Sequence, residues 1–353
     1  MKTHWLVSML FVASFALAAE PASPPSDANA SQPGQSVSLL SWFLDDGSAQ
    51  TKPADTAAGQ QATTAPAAEA KPGKGPPLPF HTIEGYGGGA ITPMAYLVNP
   101  GPKGTIFGLP SAAFSNVMMG EKNLQAFTFT ETIFGRIELG YGLDRLGLGT
   151  LPRDIKDATG VDIKRDDVWL HNFNVRGLLI EENSFGLPLP AITAGVHFKV
   201  NDGIDDVDRR LGGALSSIGY EKTNGVDYTL TATKSLVYDW TLKRPLILTA
   251  GLRNSSAAEL GFLGFGEQRN WTFEGSAAYM PADWLLVAYE FRGKEDPYDR
   301  IHGLVGGEDN WHAIDVSWII NKHATLVAGW GAFGNLANTR EDGVWWLQLK
   351  FEF

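Results

Sequence analysis

From residue 80 to the C-terminus, apolar and polar positions alternate with a period of two rather than 3.6. The last ten residues show it best. Trp345, Leu347, Leu349, Phe351 and Phe353 share one face of an extended chain, and Trp346, Gln348, Lys350 and Glu352 share the other. An apolar outer face, a polar inner face and an aromatic C-terminal residue suit a strand with lipid outside and water within.

The alternation recurs. Ile192, Ala194, Val196, Phe198 and Val200 oppose Thr193, Gly195, His197, Lys199 and Asn201, while Trp271, Phe273 and Tyr279 oppose Thr272, Glu274 and Ser276. The pattern predicts twelve strands, over 82–91, 123–131, 134–142, 168–181, 191–200, 226–236, 246–255, 271–279, 284–293, 311–320, 323–333 and 344–353. Connections after the odd-numbered strands run about 31, 25, 25, 15, 17 and 10 residues, and those after the even-numbered strands about 2, 9, 9, 4 and 2. Long loops outside and short turns in the periplasm are the asymmetry expected of an all-β, transmembrane antiparallel barrel, and an even count puts both termini in the periplasm. Gly85 to Gly89 give the first strand little to pack, and their role is a tight bend or a close backbone contact.

A soluble sandwich also alternates, with its apolar face inward, so periodicity alone does not separate the two. Aromatics at strand ends (Trp169, Tyr228, Trp271, Tyr279, Trp311, Trp318 and Trp345) favour the membrane, where they form interfacial belts. The start of the chain agrees. Met1-Lys2, the apolar stretch Trp5 to Phe15 and Ala16-Leu17-Ala18 predict a signal peptide over 1–18. Residues 19–79, rich in Ala, Pro, Ser, Gly, Gln and Thr, read as a flexible periplasmic tether, and 80–353 as the barrel. Within the tether, Val37 to Leu44 is an apolar segment too short to span a bilayer as a helix; it is a candidate plug, a docking peptide for a periplasmic protein, or a sticky stretch of linker.

Composition narrows the chemistry. The chain has 353 residues and no cysteine, which excludes a lipoprotein anchor, disulfides and thiolate catalysis. Removing residues 1–18 takes away one Lys and leaves 27 basic against 39 acidic residues, a balance that argues against a nucleic-acid partner.

Residues 81–98, His-Thr-Ile-Glu-Gly-Tyr-Gly-Gly-Gly-Ala-Ile-Thr-Pro-Met-Ala-Tyr-Leu-Val, resemble the opening of an uncharacterised family of proteobacterial outer-membrane proteins. The resemblance covers residues 80–353 and implies a barrel, with no settled substrate and no catalytic residues. More distantly, the layout resembles barrels implicated in uptake of hydrophobic or aromatic compounds.

The polar face carries the candidate chemistry. Arg136, Arg176, Lys199, Arg253, Glu274 and Glu290 are the expected lumen-lining residues, setting charge selectivity and replacing part of a solute's hydration. Mixed charge equally suits a closed polar core in which charges pair. Outer-membrane phospholipases set the pattern for an enzyme, with a Ser-His-Asn arrangement in a motif like His-x-Ser-Asn-Gly. Here Phe198-Lys199-Val200 follow His197, and Asn172-Phe173-Asn174 follow His171, so the serine is missing from both. Asp202 to Asp208 crowds carboxylates without calcium-loop spacing and is followed by Arg209-Arg210, which reads as a solvated loop. The expectation is an outer-membrane, porin-like channel for passive or weakly selective passage of small solutes, without cofactor, metal or catalytic residues. Its expected surroundings are outer-membrane lipids and lipopolysaccharide. The alternatives are a closed scaffold docking a periplasmic partner and a lipid-modifying enzyme.

Overall fold

The computed structural model describes residues 80–238, 242–300 and 305–353; the expected signal peptide, the tether and its apolar segment 37–44 lie outside them. Twelve strands form one closed antiparallel ring: β1 (Ser111–Met119), β2 (Lys122–Ile133), β3 (Ile137–Gly147), β4 (Asp167–Ile180), β5 (Ala191–Asp202), β6 (Asn224–Tyr238), β7 (Leu242–Ala257), β8 (Phe265–Ala282), β9 (Leu285–Arg292), β10 (Trp311–Asn321), β11 (Ala324–Ala332) and β12 (Val344–Glu352). Each pairs with its sequence neighbours, and β12 closes the ring on β1 through the register Leu347↔Asn116 and Leu349↔Phe114. Closure leaves no unpaired edge, which a lipid environment does not tolerate.

Burial settles the question that periodicity left open. Along β12, Trp345, Leu347 and Phe351 are exposed, whereas Trp346, Gln348 and Lys350 are buried. On β10, Ile314, Val316, Trp318 and Ile320 face out, and Asp315 and Ser317 face in. Phe173 and Val175 on β4 and Leu230 on β6 continue the apolar outer band. A protein with its apolar side chains outside and its carboxylates inside is built for a bilayer. Tyr228, Trp271, Trp318 and Trp345 are exposed as belt residues should be. Trp311 is not: it points inward, 2% exposed, and stacks on Phe333 with ring centroids 4.3 Å apart.

Loop lengths define the two ends. The turns β2–β3, β8–β9 and β10–β11 are short and share an end with the C-terminus, which makes that end periplasmic. The opposite, outer end carries the long connections 148–166 (with helix α1, Leu151–Thr159), 203–223 (with α2, Ile204–Arg210), 293–310 and 333–343.

Two expectations about strands need correction, and neither changes the count. Residues 82–91 are not a wall strand; within that stretch only Gly87–Gly88 is extended, pairing with Phe80–His81, and the segment lies inside the ring. The first wall strand is instead Ser111–Met119, whose outward face offers only Phe114 and Met118 as large apolar groups. Asn116 interrupts that face, so the alternation is faint there. The second shift moves the third strand from 134–142 to Ile137–Gly147, because Phe134 and Gly135 adopt left-handed backbone (φ 54° and 61°) and make the turn.

The outward band predicts its own test. Leu347→Arg places a guanidinium on the lipid face near mid-strand and should cost about 2–4 kcal/mol. An unchanged urea unfolding midpoint in lipid vesicles would show that Leu347 does not meet acyl chains.

Candidate functional site

The lumen is occupied by the chain's own residues 80–98. All are buried except Gly89 and Tyr96, which are half-buried. The segment enters at the periplasmic end, where Phe80 and Met94 pack on Ile247, Met280, Leu286 and Ile319 of the inner wall. It turns beneath the outer loops, where Ile83 and Ile91 meet Leu260, Phe262, Trp311 and Phe333. It then returns to the periplasmic end: Gly108 donates its N–H to Thr132 O at 2.7 Å, and Phe107 bridges to Ile133 just ahead of β1.

Such an irregular segment cannot satisfy its own backbone, and buried N–H and C=O groups need partners. The wall supplies them. Glu138 accepts from Gly87 N at 2.9 Å and Val98 N at 2.8 Å, and pairs with Arg176 at 3.0 Å. Arg176 donates to Gly87 O at 2.6 Å and also to Met94 O. Glu290 accepts from Ala90 N (2.7 Å), Ile91 N (3.2 Å) and Thr92 N (2.8 Å), as well as from the Thr92 hydroxyl. Thr193 donates to Ala95 O at 2.5 Å, and Ala95 N donates to Thr233 Oγ1 at 2.8 Å.

Glu84 is the segment's one carboxylate among residues 80–98. It pairs with Lys199 at 2.5 Å, with Arg253 at 3.6 Å and with Arg292, and accepts the Tyr86 hydroxyl at 2.7 Å. Lys199 also pairs with Asp227 at 2.8 Å; Arg253 pairs with Asp227 and Glu274, each at 3.2 Å. Three cations and three carboxylates are thus joined in one buried network.

Glycines set how close the segment lies to the wall. Gly85 has φ +85°, and a Cβ there would sit 2.6 Å from the backbone of Tyr141 and Gly142. On the facing strand, a Cβ on Gly140 would sit 2.1 Å from Gly85 O. Backbone meets backbone because neither chain carries a side chain at the contact.

Of the six expected lining residues, Arg176, Lys199, Arg253, Glu274 and Glu290 face the interior and are buried. Arg136 does not: it sits in the β2–β3 turn, 45% exposed, paired with Glu181 at 2.7 Å. The later start of β3 moves it out of the lumen. Asn174 and His197 are register partners on β4 and β5, and Thr229 lies on β6. His197 Nδ1 is 2.8 Å from Asn174 Oδ1, and its Nε2 is 2.9 Å from Thr229 Oγ1. Hydroxyl, imidazole and amide are in the order of a nucleophile, base and orienter. A search for serine near histidine in sequence passes over it. The Tyr86 ring lies 4.5 Å from the His197 ring, and Asn174 Nδ2 donates to Glu84 O at 2.7 Å, so in this state the group holds the inserted segment and leaves no space for a substrate. Asp205 and Asp206 pair with Arg209, and Asp206 also with Arg165, as a solvated loop would.

At the outer end the apolar tip is covered by the loop 258–264. Glu259 is buried there: its Oε1 accepts from Ala337 N at 3.0 Å, while Oε2 has no hydrogen-bond partner among the described residues. Burial first, and then the Glu308 carboxylate, push the Glu259 carboxyl up to about 8.

This geometry defines a transmembrane β-barrel of the outer-membrane type with an internal segment inside its lumen. The chain belongs to the family described as "Protein of unknown function (DUF3034)", which matches residues 79–350. No curated protein matches it in sequence. Among solved structures it is similar to the KdgM porin, at 11% identity and a TM-score of 0.41, over 69% of this chain and 99% of that one. It is also similar to the COG4313 outer membrane channel from Pseudomonas putida F1, at 12% identity and a TM-score of 0.40, over 71% and 96%. A third is the NanC porin, at 9% identity and a TM-score of 0.38, over 69% and 98%.

Two predictions follow from the seated segment and its cover. Gly85→Ala combines backbone strain with a clash, whereas Gly160→Ala at φ +75° projects into open space. Gly85→Ala should therefore destabilise by more than about 1 kcal/mol and by more than Gly160→Ala; equal urea midpoints would refute the close fit. For Glu259, a raised folded pKa means that the folded state holds a proton the unfolded chain releases. Its contribution is present at acid pH, declines above the ordinary carboxyl range, and is gone once pH passes about 8. Amide protection in 258–264, after correction for the intrinsic rise of exchange with pH, should fall between about pH 5 and 8, and Glu259→Gln should remove that fall.

Proposed function

We propose that this protein is an outer-membrane channel for small solutes, held closed by residues 80–98 and conducting when that segment leaves the lumen. The observation that carries the reading is topological. The segment enters and leaves at the same end, while the ring of β1 to β12 closes without it. It can withdraw without breaking a wall hydrogen bond.

The wall chemistry supports the same reading. Glu138, Glu290, Arg176 and Thr193 bind backbone groups of the segment, and each can bind water in their place. Exchanging a protein partner for water costs only about 0.5–1.5 kcal/mol per hydrogen bond, somewhat more where a charge is involved. An apolar lumen would lack that reversibility. No covalent chemistry enters this reading, since Tyr86 covers His197 as long as the segment is seated.

The chain has no native cysteine, so a single engineered pair can lock the segment. Ala95→Cys with Thr193→Cys joins it to β5 where the two residues already share a hydrogen bond. In a planar bilayer, the reduced pair should show stepwise conductance, and the oxidised pair should silence it reversibly. Identical currents before and after oxidation would mean that ions do not depend on the segment moving. Silence from every folded form would favour a closed scaffold.

A further inference from the structure

The lumen network has a charge balance that only Glu84 completes. Lys199, Arg253 and Arg292 contribute three positive charges, and Asp227 and Glu274 contribute two negative charges from the wall. Glu84 is the third negative charge, and it arrives on the movable segment. Asp144 lies on the same face and feels the charge of Lys199, but it is bonded to Asn172 Nδ2 at 2.8 Å and forms no ion pair with the three cations among the described residues. When the segment leaves, Glu84 and Tyr86 go together, and the five wall groups of this network keep one excess positive charge with their donors still aimed at one point.

We propose that Lys199, Arg253 and Arg292 form a carboxylate-binding site of the lumen, which Glu84 occupies while the barrel is closed and a solute's carboxylate occupies once it opens. The inference rests on the closing role of residues 80–98. Three features fit a carboxylate rather than a neutral solute. The site already holds one, with Lys199 on Oε1 and Arg292 and the Tyr86 hydroxyl on Oε2. Its donors come from three strands, β5, β7 and β9, so they stay fixed by the ring after the segment has gone. Two of the cations are guanidiniums, whose forked donors match a carboxylate better than a spherical anion. Lys199 is further held by Leu260 O at 3.0 Å, and Arg253 by Asp227 and Glu274, which anchors both cations against their mutual repulsion.

The test separates the site from the channel. Full-length Glu84→Ala is refolded into vesicles with sodium acetate, acetamide or sodium chloride, so that the probe can enter as the barrel closes. Acetate should raise the urea midpoint, or restore folding if the variant otherwise fails to fold. It should do so at a concentration at least about tenfold below chloride, with acetamide inactive and the wild type unresponsive. Glu84→Ala with Arg292→Gln should lose most of the response. Equal effects of chloride or acetamide, or no effect of acetate, would overturn the proposal. In bilayers, the acetate-to-chloride permeability ratio should exceed one and fall at least about threefold in Arg292→Gln; a ratio unchanged by that substitution in a conducting barrel would also overturn it. Absence of current from every form would count against the channel reading alone, and the refolding result would still decide the site.

Discussion

Polar groups on the inner face of a filled barrel need protein partners, because the inserted segment takes the place of the water that would otherwise solvate them. That requirement organises this protein. The inner face of β3, β4, β5 and β9 presents Glu138, Arg176, Lys199, Glu290 and Arg292, groups that are costly to bury alone. The inserted segment has the complementary problem, since a glycine-rich, irregular backbone leaves N–H and C=O groups without a ladder. Each side resolves the other's need. Three successive amides, Ala90 to Thr92, converge on the single carboxylate of Glu290, and two carbonyls, Gly87 and Met94, share one guanidinium at Arg176.

The segment is held differently at mid-lumen and at the two ends of the barrel. Near mid-lumen the contacts are ionic or charge-assisted and directional. At either end they are apolar, with Phe80 and Met94 at the periplasmic side and Ile83 and Ile91 under the outer loops. Apolar contacts at the outer tip resist water entry from outside and carry no directional preference. The Glu259 carboxyl is a polar exception within that cover, which is why its ionisation bears on how tightly the loop 258–264 sits.

The barrel itself was legible because lipid and lumen impose opposite chemistry on alternate residues, and β12 or β10 can be read from either face. Legibility failed where that contrast was weak or absent. Ser111–Met119 carries a faint alternation because Ala112 and Asn116 sit among its outward positions. Residues 82–91 fold as turns inside the lumen, and local sequence does not report that their backbone bonds to wall side chains rather than to a neighbouring strand. Arg136 was misplaced by a shift of the strand start, and a turn residue has no inner face. The inward placement of Arg176, Lys199, Arg253, Glu274 and Glu290 followed from alternation alone. Their common partner did not, since nothing in local sequence reports that Glu84 lies 115 positions from Lys199 and 208 from Arg292 while contacting both. The Asn174–His197–Thr229 group was hidden for the same reason, as only the β4–β5–β6 register brings it together.

Buried ion networks seldom add stability over a well-packed apolar core of equal volume, because desolvating each charge offsets its attraction to the others. Stability alone therefore does not account for placing Lys199, Arg253 and Arg292 around Glu84 in the middle of the lumen. An apolar plug in an apolar lumen would close the barrel as firmly and would stay closed, since water would not replace it. A charged plug in a charged lumen can be exchanged, because water and ions solvate the wall once the segment leaves. The network also fixes where the segment stops: a one-residue slip would remove Glu84 from its three cations and Gly85 from the backbone of Tyr141. Seating is thus specific while release remains possible, and those two properties together are what a gate requires.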